Sequence, residues 1–152
     1  MRALVDWAIR VGNENHGTAL VETSLALLLA FPVMISAFEL CMFTYTQAIL
    51  GDAARVGVRY AIVHGSDSSA CSGPSGGCSD KTAANVVQTV QHYAANSLSS
   101  LGSVSVSPSY IDASSAPSSR IIVTVTYNYA PLFQFSAFSM AMSASAEGRI
   151  VY

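Results

Sequence analysis

The sequence predicts an α+β protein. A long N-terminal helix able to cross a membrane continues into a small head, which holds a second, amphipathic helix and an antiparallel sheet of about three strands. Three observations carry this. The chain is 51% hydrophobic and only 11% charged, and the apolar excess lies near the N-terminus. From Thr18 the apolar period is helical over a long stretch, and after Gly102 it changes to two. The 152 residues leave room for one modest domain beside the membrane segment, not for two full domains.

The membrane segment is read from "HGTALVETSLALLLAFPVMIS". Ala19 to Phe38 is 20 residues in which Glu22 is the only charge. As a helix rising about 1.5 Å per residue it spans roughly 30 Å, the thickness of a bilayer core. A cleavable secretory signal has a shorter apolar stretch of roughly 7 to 15 residues, ended by a small-residue site. Here the apolar character runs on through "LCMFTYTQAIL", so the segment reads as a lasting anchor. Pro32 removes one backbone bond and predicts a bend, not a break. Ahead of it, residues 1–17 form a polar-ended leader. Leu4, Trp7, Ala8 and Val11 fall at helical spacing, suited to a membrane surface, and "GNENHG" is expected to interrupt that helix.

Beyond the membrane, Ala48, Ala53, Val56, Tyr60 and Val63 can share one stripe, with Asp52, Arg55 and Arg59 away from it. Gly51, Ala53, Ala54 and Gly57 would let another element approach closely. One continuous helix is therefore expected over 18–63. Asp52 and Arg55 are placed for an ordinary surface ion pair, and the face with Arg59 is a candidate contact surface. The Gly, Ser and Pro of 64–81 read as a linker. The head proper, 82–152, begins with a helix whose stripe is Ala83, Val86, Val87, Val90, Tyr93, Ala94, Leu98 and Leu101. Ser79 or Asp80 is its cap and Gly102 its end.

"SVSVS", "RIIVTVTYNY" and "SASAEGRIVY" then read as strands. The central one has Val123, Val125, Tyr127 and Tyr129 on one face, and Ile122, Thr124, Thr126 and Asn128 on the other. Pro117 and Pro131 bound it, and "DASSAPSS" reads as an ordinary exposed turn. Leu132, Phe133, Phe135 and Phe138 make an apolar connection expected to cover the sheet or meet a partner.

Cys71 and Cys78 bracket "SGPSGG", a turn that brings the chain back on itself. A disulfide there implies an oxidising compartment outside the cytosol. The rival is a metal site with His64 or His92, although metal pairs usually have closer spacing and a second such pair. Cys41 is expected to be a buried, apolar-like residue. Lys and Arg do not set the orientation, because Arg2 and Arg10 before the span balance Arg55 and Arg59 after it.

A net charge of −2, with seven scattered cations, gives no field to gather nucleic acid. No G-x-S-x-G or H-E-x-x-H motif is present, and His16, His64 and His92 share no ligand spacing. No catalytic residue, cofactor or metal site is predicted.

Four stretches resemble one family, the TadE-like proteins, pilin-like subunits of the tight-adherence (Flp, type IVb) pilus. "HGTALVETSLAL" is similar to its G-x-x-x-V-E processing region, and "SAFELCMFTYTQAI" to the end of its membrane helix, with Glu39 at an often acidic position. "GDAARVGVRYAIVHG" is similar to its A-A-R-x-G-x-R-Y segment, and "IIVTVTYNYAPLF…MSASAEGRI" to its closing strands. Thr23 stands where the family usually has Phe, and Pro32 lies farther from the glutamate than is usual.

The resemblance implies an inner-membrane, single-pass, non-catalytic minor pilin-like subunit. Its N-terminus would be cytoplasmic and its head periplasmic. A prepilin peptidase would remove residues 1–17 as a prepilin-like leader by cutting after Gly17. Thr18 would then carry a new α-amine of pKa about 8, on the same helix face as Glu22. Pairing between that amine and the Glu22 carboxylate, in the same or a neighbouring subunit, would fix axial register. Otherwise Glu22 would simply reach the headgroups. Implied partners are the peptidase, other pilin-like subunits joined through the N-terminal helix, the assembly platform and the bilayer. The alternative from another class is a membrane-anchored periplasmic binding or sensing module with an uncleaved signal anchor.

Overall fold

A computed structural model describes residues 2–97, 104–131 and 139–151, with side chains described from residue 17 onward. The chain divides into two compact units, Met1–Cys41 and Met42–Tyr152. Helix α1 (Arg2–Val63) runs through both. After it come α2 (Ala84–Ser97) and strands β1 (Ser105–Tyr110), β2 (Arg120–Tyr129) and β3 (Met140–Arg149). The α+β class and the three-stranded antiparallel sheet are as the sequence predicts.

In the first unit α1 does not break at "GNENHG". Asn and Gly weaken a helix by only about 0.7 to 1 kcal/mol each, so strong formers on both sides can carry the helix across them. It also continues through Pro32. From Gly17 to Phe38 the apolar side chains point outward all round. Leu28 is 69% exposed and Phe31 57%, and no residue of the most apolar stretch is buried. Apolar on every side and unburied among the described residues, this stretch is long and greasy enough to cross a membrane. The hydroxyls of Thr23, Ser24 and Ser36 are turned onto the helix's own backbone. Thr23 donates to the Ala19 carbonyl at 2.6 Å and Ser36 to that of Pro32 at 2.7 Å, which suits a hydrocarbon setting. Cys41 is exposed, not buried as its type suggests, because this stretch of α1 has no core of its own to enter.

In the second unit the core is one layer of helix against one face of the sheet. The buried stripe of α1 is Ile49, Leu50, Ala53, Ala54, Gly57, Val58 and Ala61. The expected stripe is rotated from this. Ala48 and Val63 are exposed, Val56 and Tyr60 half-buried, and only Ala53 belongs to both. Small residues decided the rotation. A Cβ on Gly57 would lie 2.5 Å from Val90 Cγ2 and 3.1 Å from Val123 Cγ1, so α1 meets α2 and β2 where it is thinnest. A Cβ on Gly148 would likewise lie 2.5 Å from Val58 Cγ1, so β3 crosses α1 at its own glycine.

The sheet order is β1-β2-β3, with β2 paired on both sides. Ile121, Val123 and Val125 are buried, whereas Thr126 and Asn128 are exposed, so the predicted alternation holds. Pro108 is tolerated because β1 is an edge strand. β3 begins earlier than "SASAEGRIVY" suggests. The end of β2 needs partners, so Tyr129 pairs with Met140 and Tyr127 with Met142, which is buried. Beyond β3, the Val151 N–H bonds the Ile62 carbonyl at 3.1 Å and satisfies one orphan acceptor at the end of α1.

On α2, Val86, Val90 and Ala94 are buried, as the stripe predicts. Leu98, Leu101, Gly102, Leu132, Phe133, Phe135 and Phe138 lie outside the described residues, as do the side chains of Leu4, Trp7, Ala8, Val11 and His16.

Candidate functional site

The processing candidates lie in the first unit. Gly17, Thr18, Val21, Glu22 and Leu25 line one shallow, open recess on α1. Helical spacing puts Thr18 and Glu22 one turn apart on the same face. A Cβ on Gly17 would meet nothing within 4 Å among the described residues. Glu22 is exposed between Val21, 66% exposed, and Leu25, 62% exposed. The recess therefore sets a single acid in an apolar surround. Buried without a partner it would carry a large desolvation penalty, and a cation within about 4 Å offsets that penalty.

The remaining candidates lie in the second unit and form two separate groups, the Asp52, Arg55 and Arg59 face of α1 and the Cys71–Cys78 pair. Arg55 Nη1 donates to Asp52 Oδ1 at 2.9 Å on the outer side of α1, with the two side chains 72% and 52% exposed. Such a pair contributes little to stability. Arg59 is exposed one turn further on. Cys71 and Cys78 form a disulfide with Cα atoms 5.0 Å apart, and each is 5% exposed. His64 and His92 do not share it. The His64 ring stacks on Tyr60 at 4.0 Å, and His92 bonds Asn96.

Two expectations for the loops need correction. Residues 64–81 are not a slack linker, and "DASSAPSS" is not an ordinary exposed turn. Ser72 and Ser115 are both fully buried. The Ser115 hydroxyl donates to Ser75 Oγ at 2.6 Å, the Ser115 N–H donates to the same oxygen at 2.9 Å, and the Ser66 N–H bonds the Ser115 carbonyl at 2.8 Å. Gly73, at φ +144°, leaves space that a side chain would take from Ser115 and Tyr110. Serine in a Gly-rich run signals a turn, and nothing local reveals a partner forty residues away.

Asp80 organises the junction with α2. Its carboxylate accepts the Ala84 and Asn85 N–H groups at 2.9 Å each and the Ser72 hydroxyl at 2.7 Å. Asp80, not Ser79, is therefore the cap. Burial works against its charge, but the bonds from Ser72, Asn85, Ala84 and Thr82 prevail and hold its pKa at about 2. Nearby, Tyr110 donates its hydroxyl to the Ser72 carbonyl at 2.9 Å. Burial first, then the Asp80 charge, raises its pKa to about 12.

These shifts give a pH prediction. The lowered Asp80 stabilises the folded head above about pH 4, and that contribution is lost as pH falls through about 2. The raised Tyr110 stabilises it below about pH 10, and that contribution is lost as pH rises through about 12. Denaturation midpoints measured across pH should fall at both ends. Asp80→Asn should flatten the acid limb and Tyr110→Phe the alkaline one.

Residues 17–59 match the family described as TadE-like protein. The match takes in Gly17, Thr18, Glu22, Asp52, Arg55 and Arg59 and ends before the disulfide loop and the sheet. No curated protein and no solved structure matches the chain.

Proposed function

We propose, from the premise that residues 17–59 are TadE-like, that this chain is a non-catalytic, minor pilin-like subunit that helps assemble a tight-adherence pilus. A prepilin peptidase cuts it after Gly17, and α1 then holds it in the inner membrane with the head in the periplasm. The observation that carries the reading is Glu22, one turn beyond Thr18, near the start of the 17–38 stretch of α1, whose apolar side chains are exposed on every side. Lipid or neighbouring pilin-like helices can cover such a helix, and either leaves Glu22 in need of a cation. The α-amine released on Thr18 provides one at the right spacing. Gly12 and Gly17 each weaken α1 by about 1 kcal/mol relative to Ala, so the helix opens most easily where the peptidase must reach its backbone.

Intact-mass measurement of the membrane-extracted protein, produced beside a prepilin peptidase, tests processing. The expected mature chain begins at Thr18, and Gly17→Val is expected to stay uncut. Glu22→Gln removes the charge while keeping the shape. It should lower pilus yield by about tenfold or more, because the buried pairing that fixes register is lost. A wild-type chain still beginning at Met1, or undiminished pili with Gln at position 22, rules the reading out.

A further inference from the structure

The Cys71–Cys78 ring does more than close a loop. Inside it, the buried Ser72 donates its hydroxyl to Asp80, its N–H bonds the His64 carbonyl at 2.8 Å, and its carbonyl receives the Tyr110 hydroxyl. The Gly73 N–H bonds the Asp80 carbonyl at 2.8 Å. Ser75, in the same ring, clasps Ser115 on the β1–β2 connection. Asp80 in turn caps the first free N–H groups of α2. Ser72 thus lies next to a covalently closed cysteine, its hydroxyl supports Asp80, and Asp80 holds the start of a helix. That helix is the less secure part of the head. Its 14 residues would be marginal alone in water, and it depends on Val86, Val90 and Ala94 staying docked. β2, by contrast, is paired along its whole length with β3.

From this chain of contacts we infer that the Cys71–Cys78 bond is a redox-sensitive latch that docks α2 onto the head. Oxidation by a disulfide donor completes the head, and reduction releases α2 while leaving the sheet in place. In the closing step one cysteine thiolate attacks the donor's disulfide to form a mixed disulfide, and the other displaces the donor. The two electrons and two protons end on the donor, whose disulfide becomes two thiols. The inference concerns the second unit alone and does not depend on the pilus reading.

Amide hydrogen exchange on the full chain in detergent tests it, with dithiothreitol as reductant and glutathione disulfide as donor. On reduction, and in the Cys71→Ser/Cys78→Ser variant, protection in α2 should fall by about tenfold or more, while β2 and β3 change by less than about twofold. Glutathione disulfide should restore the reduced wild type. Asp80→Ala, with the disulfide intact, should reproduce the loss in α2. The latch is overturned if the reduced protein keeps α2 protection within about twofold, or if α2 and the sheet lose protection together. Undiminished α2 protection in Asp80→Ala overturns it equally.

Discussion

Gly57→Val lowers the thermal midpoint of the head by about 10 °C or more, whereas Gly51→Ala leaves it unchanged or raises it. Both glycines lie on α1 and only six residues apart. At Gly57 a first side-chain carbon would already lie 2.5 Å from Val90 and 3.1 Å from Val123. Those neighbours are β-branched and buried, so neither can rotate away cheaply, and α2 or β2 must move instead. Overpacking of this kind costs about 3 kcal/mol or more, and each kcal/mol lowers the midpoint by about 4 °C in a domain of this size. At Gly51 a Cβ meets nothing within 4 Å, so alanine adds only helix propensity. Circular dichroism melts of the two variants and the wild type decide the matter. A Gly57→Val midpoint within a few degrees of wild type would show that the helix does not approach the sheet this closely.

Leu50→Ala destabilises the head by about 2 to 5 kcal/mol, while Leu28→Ala leaves it within about 0.5 kcal/mol. The two leucines share a residue type and a helix. Leu50 is fully buried and belongs to the core cluster of the head, so truncating it leaves a cavity there. Leu28 is 69% exposed and belongs to the other compact unit. Chemical denaturation followed by the Tyr signal of the head would separate them. Equal losses at both positions would mean that the apolar front stretch of α1 contributes to the core of the head.

The two loops show where sequence reading stops. "CSGPSGGC" and "DASSAPSS" have the composition of exposed turns, and as local chain they are turns. What buries Ser72 and Ser115 is their mutual approach through Ser75 and Gly73, a contact between segments about forty residues apart. Periodicity carries no trace of it. The stripe of α1 failed for a related reason. A helical wheel ranks Val56 and Tyr60 above Gly57 and Ala61 as core, but the sheet takes the small residues because they allow closer packing. Gly17, Thr18 and Glu22 stand within about one turn of α1, an arrangement that their spacing alone provides once the segment is helical.

By itself, the sequence determined the apolar helix with its single acid, the paired cysteines, the amphipathic period of α2 and the alternation of β2. Each of these is a property of residues within a turn or two of one another. The tertiary structure alone decided which side of α1 faces the sheet, where β3 begins, and that Asp80, Ser72 and Ser115 fasten the loops to the head. Those outcomes depend on how closely distant surfaces can approach and which buried polar groups then find partners, and neither quantity is defined until the chain has folded.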